Sequence, residues 1–240
     1  MLVLEGYDLI VYGSVVPALL AQADWSLSLE QVGFLGSVAI VGMMAGALLA
    51  GALTDRIGRK QVAVLSVCTF SVAMLMCSVA PTVTVFAVAR FVVGLGAGCL
   101  MPTTVALILE YSPSHRRNIN SALAFAGVGT GGALSGLIAL AFVPEGEFRP
   151  MFLVGGSPAL LLVPALVRWM PESAAHLLAS GRPADARAVL EHHGVRGRFV
   201  QDLFDTQESE PRDGADNVRD RKQITSLMRL LVQRSPRSRA

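Results

Sequence analysis

Six stretches of this chain stay apolar long enough to cross a lipid bilayer, which leaves few folds open to it. Lipid offers no partner to a free backbone N–H or C=O, so a spanning segment must be helical and about 20 residues long. The runs fall at residues 2–21, 32–53, 62–80, 83–109, 120–142 and 150–170. With 52% of the 240 residues hydrophobic, 16% charged and a mean hydropathy of +0.54, the chain is more apolar than ordinary water-soluble domains. The predicted fold class is an all-α membrane protein, with a six-helix transmembrane bundle over residues 1–170. The first run ends at Ala21-Gln22-Ala23, which looks like a signal-peptidase site. A signal peptide needs a positive flank, and this flank holds Glu5 and Asp8 instead, so the segment reads as a retained helix.

Charge sorts the connections into two sides. Those after the second and fourth segments carry Arg56, Arg59, Lys60, Arg116 and Arg117. Those after the first, third and fifth carry Asp24, Glu30, Glu145 and Glu147, with Arg149 alone against them. The positive-inside rule places both termini of such a multi-pass chain in the cytoplasm, at the inner (plasma) membrane. Beyond Met170 the character changes. Residues 171–195 read as cytoplasmic amphipathic helices on the membrane surface, with Leu177, Leu178, Val189 and Leu190 in phase. Residues 196–240 read as a polar, disordered tail. Most of the Lys and Arg lie after residue 150, so the net charge of +2 averages an apolar body and a basic tail; it is no sign of a nucleic-acid partner.

Three ionisable residues stand where lipid depth is expected. A charge at the bilayer centre costs about 2.5–3.5 kcal/mol on insertion scales, so each one calls for a function. Glu5 and Asp8 lie in EGYDLIVYG with i,i+3 spacing, and Tyr12 follows Asp8 by four, so all three share a helical face. A carboxyl balanced between burial and a nearby cation can load and release a proton near neutral pH. The competing reading places Glu5 at the cytoplasmic rim, solvated. Arg90 lies in RFVVGLGAG of the fourth segment. Its guanidinium can bind a substrate carboxylate, pair with Asp8, or alternate between the two.

The glycines at Gly42 and Gly46, Gly94 and Gly98, Gly127 and Gly131, and Gly132 and Gly136 have the four-residue spacing of close helix packing in membranes. No strand precedes them, so they do not read as phosphate cradles. Cys68, Cys77 and Cys99 fit no metal template and read as packing residues. The four histidines lie in connections or the tail, and no catalytic constellation is suggested; the chain reads as a non-enzyme with no cofactor or metal.

Several motifs resemble one family. GALTDRIGRK, residues 51–60, closely resembles the loop motif between the second and third helices of the major facilitator superfamily, with Gly51, Leu53, Asp55, Arg56, Gly58, Arg59 and Lys60 matching. RFVVGLGAG resembles its fourth-helix motif, and Glu110, Pro113, Arg116 and Arg117 resemble the E-x-x-P-x-x-x-R pattern that follows. PESAAHLLASGRPADA resembles the segment after the sixth helix. Within the superfamily, EGYDLIVYG is most similar to the aromatic acid:proton symporters, the benzoate and hydroxybenzoate carriers; Glu5 stands where that family often has Asp. GVGTGGALSG lacks the Gly-Pro pair of drug antiporters, and Ala174-Ala175-His176 replaces the Pro-Arg-Trp of sugar carriers.

The resemblance implies one six-helix half of a twelve-helix carrier. It implies proton-coupled symport of small aromatic carboxylates, with transport and coupling roles for Glu5, Asp8 and Arg90. It also implies a gating role for Gly51, Asp55, Arg56, Gly58, Arg59, Lys60, Glu110, Arg116 and Arg117, with Asp55 and Arg56 pairing to Glu110, Arg116 or Arg117 or to the other half. The expected partners are the bilayer, an organic acid, a proton, and a C-terminal half or a second copy of the chain. The length predicts an N-terminal fragment. Another organic-acid symporter half and an inactive or partner-binding membrane remnant are the alternatives.

Overall fold

The computed structural model describes residues 1–112, 116–170, 172 and 177, with the backbone alone at Glu110 and Tyr111. The expected surface helices over 171–195 lie almost wholly outside the described residues, and the expected tail over 196–240 lies entirely outside them.

All regular structure among the described residues is helical. Helix α1 spans Leu2–Ala21, α2 Leu29–Ile57, α3 Arg59–Val79, α4 Val83–Tyr111 and α5 Arg117–Phe142. A 3-10 turn at Val143–Glu145 leads to α6 (Arg149–Gly156) and α7 (Ala159–Trp169). Among the described residues, six segments are long and apolar enough to cross a membrane, the last being α6 and α7 together. That segment reads as continuous in the sequence, but it breaks at Ser157-Pro158. Proline has no N–H to give and its ring collides with the preceding turn, so the helix restarts after it.

Local chemistry sets several helix ends. Ser28 begins α2 with a capping box: its hydroxyl accepts from the Gln31 N–H, and the Gln31 side chain accepts from the Ser28 N–H. Thr82 caps α4 by accepting from the Val85 N–H. Gly58 alone separates α2 from α3, at φ 88°, a conformation that costs an L residue with a side chain. The connection expected over residues 54–61 is thereby reduced to Gly58: α2 runs on to Ile57, and Arg59 and Lys60 begin α3.

Packing runs through small residues. A Cβ at Gly94 would fall 1.9 Å from the Ala39 carbonyl oxygen, and one at Gly98 2.0 Å from that of Met43. From the other side, Gly42 and Gly46 meet the carbonyls of Phe91 and Leu95. So α2 and α4 touch backbone to backbone. The contact of α1 with α5 works the same way, through Gly6 against Val128 and Gly131 against Val3. Gly136 departs from the expected pairing: its four-residue spacing holds, but nothing lies within 4 Å of a Cβ there.

Helices α1, α3, α4 and α6 bury the core, including Val11, Val15, Phe70, Met74, Phe86 and Phe152. By contrast α2, α5 and α7 show large apolar side chains to the outside, with Leu48, Leu140 and Leu160 at 81, 74 and 80% exposure. Such faces are a liability in water and suit an apolar surrounding. Consecutive spans alternate in direction. At one end, Trp25, Phe86 and Phe148 stack together with ring centroids 5.3–5.9 Å apart. At the other, Lys60 donates from Nζ to the Val167 carbonyl and from its backbone N–H to Glu172.

Candidate functional site

The charged residues of the apolar runs converge inside the bundle. Asp8 lies on α1 and Arg90 on α4, and Arg90 Nη1 donates to Asp8 Oδ1 at 2.6 Å. Glu5, Asp8 and Arg90 are 2, 3 and 3% exposed, so the solvated-rim reading of Glu5 does not hold in this bundle. At a rise of about 1.5 Å per residue, Asp8 sits roughly 9 Å inside the start of α1 and Arg90 roughly 10 Å inside the start of α4, at the opposite end. The long arginine side chain closes the remaining distance inside the bundle.

Two aromatic rings flank the guanidinium. Its carbon lies 4.9 Å from the Tyr12 ring centroid and 5.9 Å from that of Phe152. Desolvated contacts of this kind are worth about 2 kcal/mol. The Tyr12 hydroxyl donates to the Val32 carbonyl on α2. Tyr7, one turn earlier on α1, donates to the Met151 carbonyl on α6 at 2.8 Å. Polar capacity remains unspent: Arg90 Nε and Glu5 Oε2 are buried without a hydrogen-bond partner. A guanidinium tied through one nitrogen, with another free, can exchange its carboxylate for a second one. The carboxylates beside it can carry protons.

Spacing on α1 predicts the shared face of Glu5, Asp8 and Tyr12. Phe152 and Tyr7's partner Met151 come from α6, and no signal in the sequence marks them, because an aromatic residue in an apolar run has no contrast. Arg149, the one cation on the acidic side, has a structural role: it donates to the carbonyls of Ser78 and Ala80 at the end of α3 and lies over the Phe148 ring.

The expected gating residues are less gathered. Gly51, Asp55, Arg56, Arg116 and Arg117 are exposed, Gly58 is buried, and Arg59 and Lys60 are half-buried. Among the described residues no hydrogen bond or ion pair joins Asp55 or Arg56 to Arg116 or Arg117, and the Glu110 side chain lies outside them. Lys60 instead ties the start of α3 to the end of α7. Cys68, Cys77 and Cys99 are free thiols, and Cys99 Sγ lies 3.0 Å from the Gly46 carbonyl.

Comparison with known proteins accounts for the bundle. The profile of the Major Facilitator Superfamily matches residues 1–230. The chain belongs to the major facilitator superfamily. Among curated members, it is 32% identical over 195 residues to the "Benzoate transport protein" of Acinetobacter baylyi, covering 79% of this chain and 41% of that one. It is 36% identical over 197 residues to the "Gallate transporter" of Pseudomonas putida, covering 82% and 43%. The chain thus spans about two-fifths of the length of the curated relatives it matches. The fold matches one half of the proton:xylose symporter XylE of E. coli with a TM-score of 0.76 at 22% identity, over 84% of this chain and 50% of that one. The superfamily and these relatives are transporters, not enzymes, and this major facilitator chain is a multi-pass membrane protein.

Proposed function

We propose that this chain forms the N-terminal half of a proton-coupled symporter for small aromatic carboxylates such as benzoate or hydroxybenzoates. Both termini face the cytoplasm, and the remaining helices come from a C-terminal half or from a second copy of the chain. The observation that carries the reading is the buried Asp8–Arg90 pair, with one guanidinium nitrogen unspent. Similarity to benzoate and gallate carriers supports the substrate class.

In this reading the substrate sits near mid-bilayer between two rocking halves. Protonation of Asp8 loosens its hold on Arg90, and the guanidinium takes the substrate carboxylate. Release of the substrate on the other side lets the proton leave and the pair re-form. A monoanion moving with one proton is electroneutral, so only the pH gradient drives it. A second proton on Glu5 adds about 2.3 kcal/mol per 100 mV of membrane potential. The helix ends around Gly58, with Asp55 to Lys60, Glu110, Arg116 and Arg117, gate the cytoplasmic side.

The test is uptake of labelled benzoate into proteoliposomes under an inward proton gradient, with the oligomeric state measured. Wild type is expected to accumulate substrate, and Asp8→Asn and Arg90→Ala to lose at least about tenfold. Normal uptake by both variants would remove the site assignment. Absence of uptake by the chain alone, with recovery when a C-terminal half is supplied, selects that half over a second copy as the partner.

A further inference from the structure

Tyr12 belongs to α1 but is fastened to α2. Its hydroxyl donates to the Val32 carbonyl, and its ring lies against Gly36, one turn further along. A Cβ at Gly36 would fall 2.7 Å from Tyr12 Cε1, so the glycine makes the room that the ring occupies. Helices α1 and α2 otherwise touch sparingly, which makes this residue a main tie between them. The face of that same ring lies over the Arg90 guanidinium, on the α4 side. Phe152 meets the guanidinium from α6 at a longer distance. Arg90 is therefore held by two different means: a charge on α1, which protonation removes, and a ring face, which no proton affects.

We infer that Tyr12 is a positioning residue for Arg90: anchored to α2 through Val32 and Gly36, its ring keeps the guanidinium in register with Asp8 and aimed when that carboxylate lets go. The inference rests on the reading of Asp8 and Arg90 as the coupling pair, and it adds what keeps the arginine in place between its two carboxylate partners. It also makes Gly36 a determinant of the site, although that residue touches neither charge.

The pair can be probed without transport. A carboxyl held beside a cation stays ionised and resists carbodiimide, whereas one released into an apolar setting takes up a proton and reacts. The full chain in nanodiscs is treated with dicyclohexylcarbodiimide at one fixed pH, and the modification of Asp8 relative to Glu5 is measured by peptide mass spectrometry. Arg90→Ala is expected to raise that ratio about tenfold or more, since the cation is gone. Tyr12→Leu, which removes ring and anchor, is expected to raise it about threefold to tenfold, and Tyr12→Phe, which keeps the ring face, by less. Gly36→Ala acts from α2, displaces the ring with Tyr12 itself intact, and is expected to follow Tyr12→Leu; it carries the test if Tyr12→Leu does not fold. If Arg90→Ala raises the ratio but Tyr12→Leu and Gly36→Ala leave it at the wild-type value, Tyr12 does not position the arginine. The same conclusion follows if these variants raise Glu5 and Asp8 together, which is general loosening of α1. An unchanged ratio in Arg90→Ala overturns the coupling pair itself, and the inference with it.

Discussion

Arg90 and Asp8 are each almost fully buried, and each makes the other tolerable. Taking a charge out of water costs several kcal/mol after relaxation, and mutual attraction returns much of it only while both partners are present. Asp8→Asn leaves Arg90 charged and without an anionic partner in the core. The expected loss is about 3–5 kcal/mol, seen as a lower thermal midpoint in detergent. The double variant Asp8→Asn/Arg90→Met, which removes both charges, is expected to be more stable than Asp8→Asn alone; a further loss equal to a second independent site would show that the two are not coupled. Asp8 and Arg90 were legible in the sequence because charge stands out against an apolar run. Spacing also put Tyr12 on the face of Asp8, but not its ring over the guanidinium, and Phe152 looks like any other apolar residue until α1, α2, α4 and α6 are brought together.

Helix pairs in this bundle are decided by where glycine allows two backbones to meet. Four-residue glycine spacing occurs in α2, α4 and α5, yet its consequences differ by position. A methyl group at Gly94 collides with the Ala39 carbonyl, and the nearest atoms are backbone that cannot swing aside. Gly94→Ala is expected to cost at least about 2 kcal/mol, as an overpacked contact does, and to separate α2 from α4. The same substitution at Gly136 meets open space and is expected to change stability by less than about 1 kcal/mol, within the range of helix propensity. Side-by-side thermal unfolding of the two variants is the check; equal losses would mean that the α2–α4 contact is not what Gly94 serves. Spacing on a helix shows which residues share a face, but not which face another helix occupies. The break at Ser157-Pro158 is a similar case: the proline is visible in the sequence, but Pro17 and Pro102 remain inside continuous helices and Pro158 does not.

For the molecule as a whole, the proposed orientation, with both termini in the cytoplasm, can be measured. In a background lacking Cys68, Cys77 and Cys99, Asp24→Cys is expected to react with an impermeant maleimide in intact cells, and Asp55→Cys only after permeabilisation. The opposite pattern would invert the topology. Six apolar runs were enough to establish a helical membrane protein, because a backbone in lipid has no solvent to satisfy it and must pair within its own segment. That rule is local, so it can be read along the chain without knowing what packs on what. The motifs at residues 51–60 and in α4 were legible for the same reason, being contiguous. Pairing across the bundle is not local. Which nitrogen of Arg90 meets Asp8, which ring covers it and which glycines are in use depend on helices separated by up to about 140 residues of chain, and their relative rotation is set by backbone contacts that only the assembled structure contains.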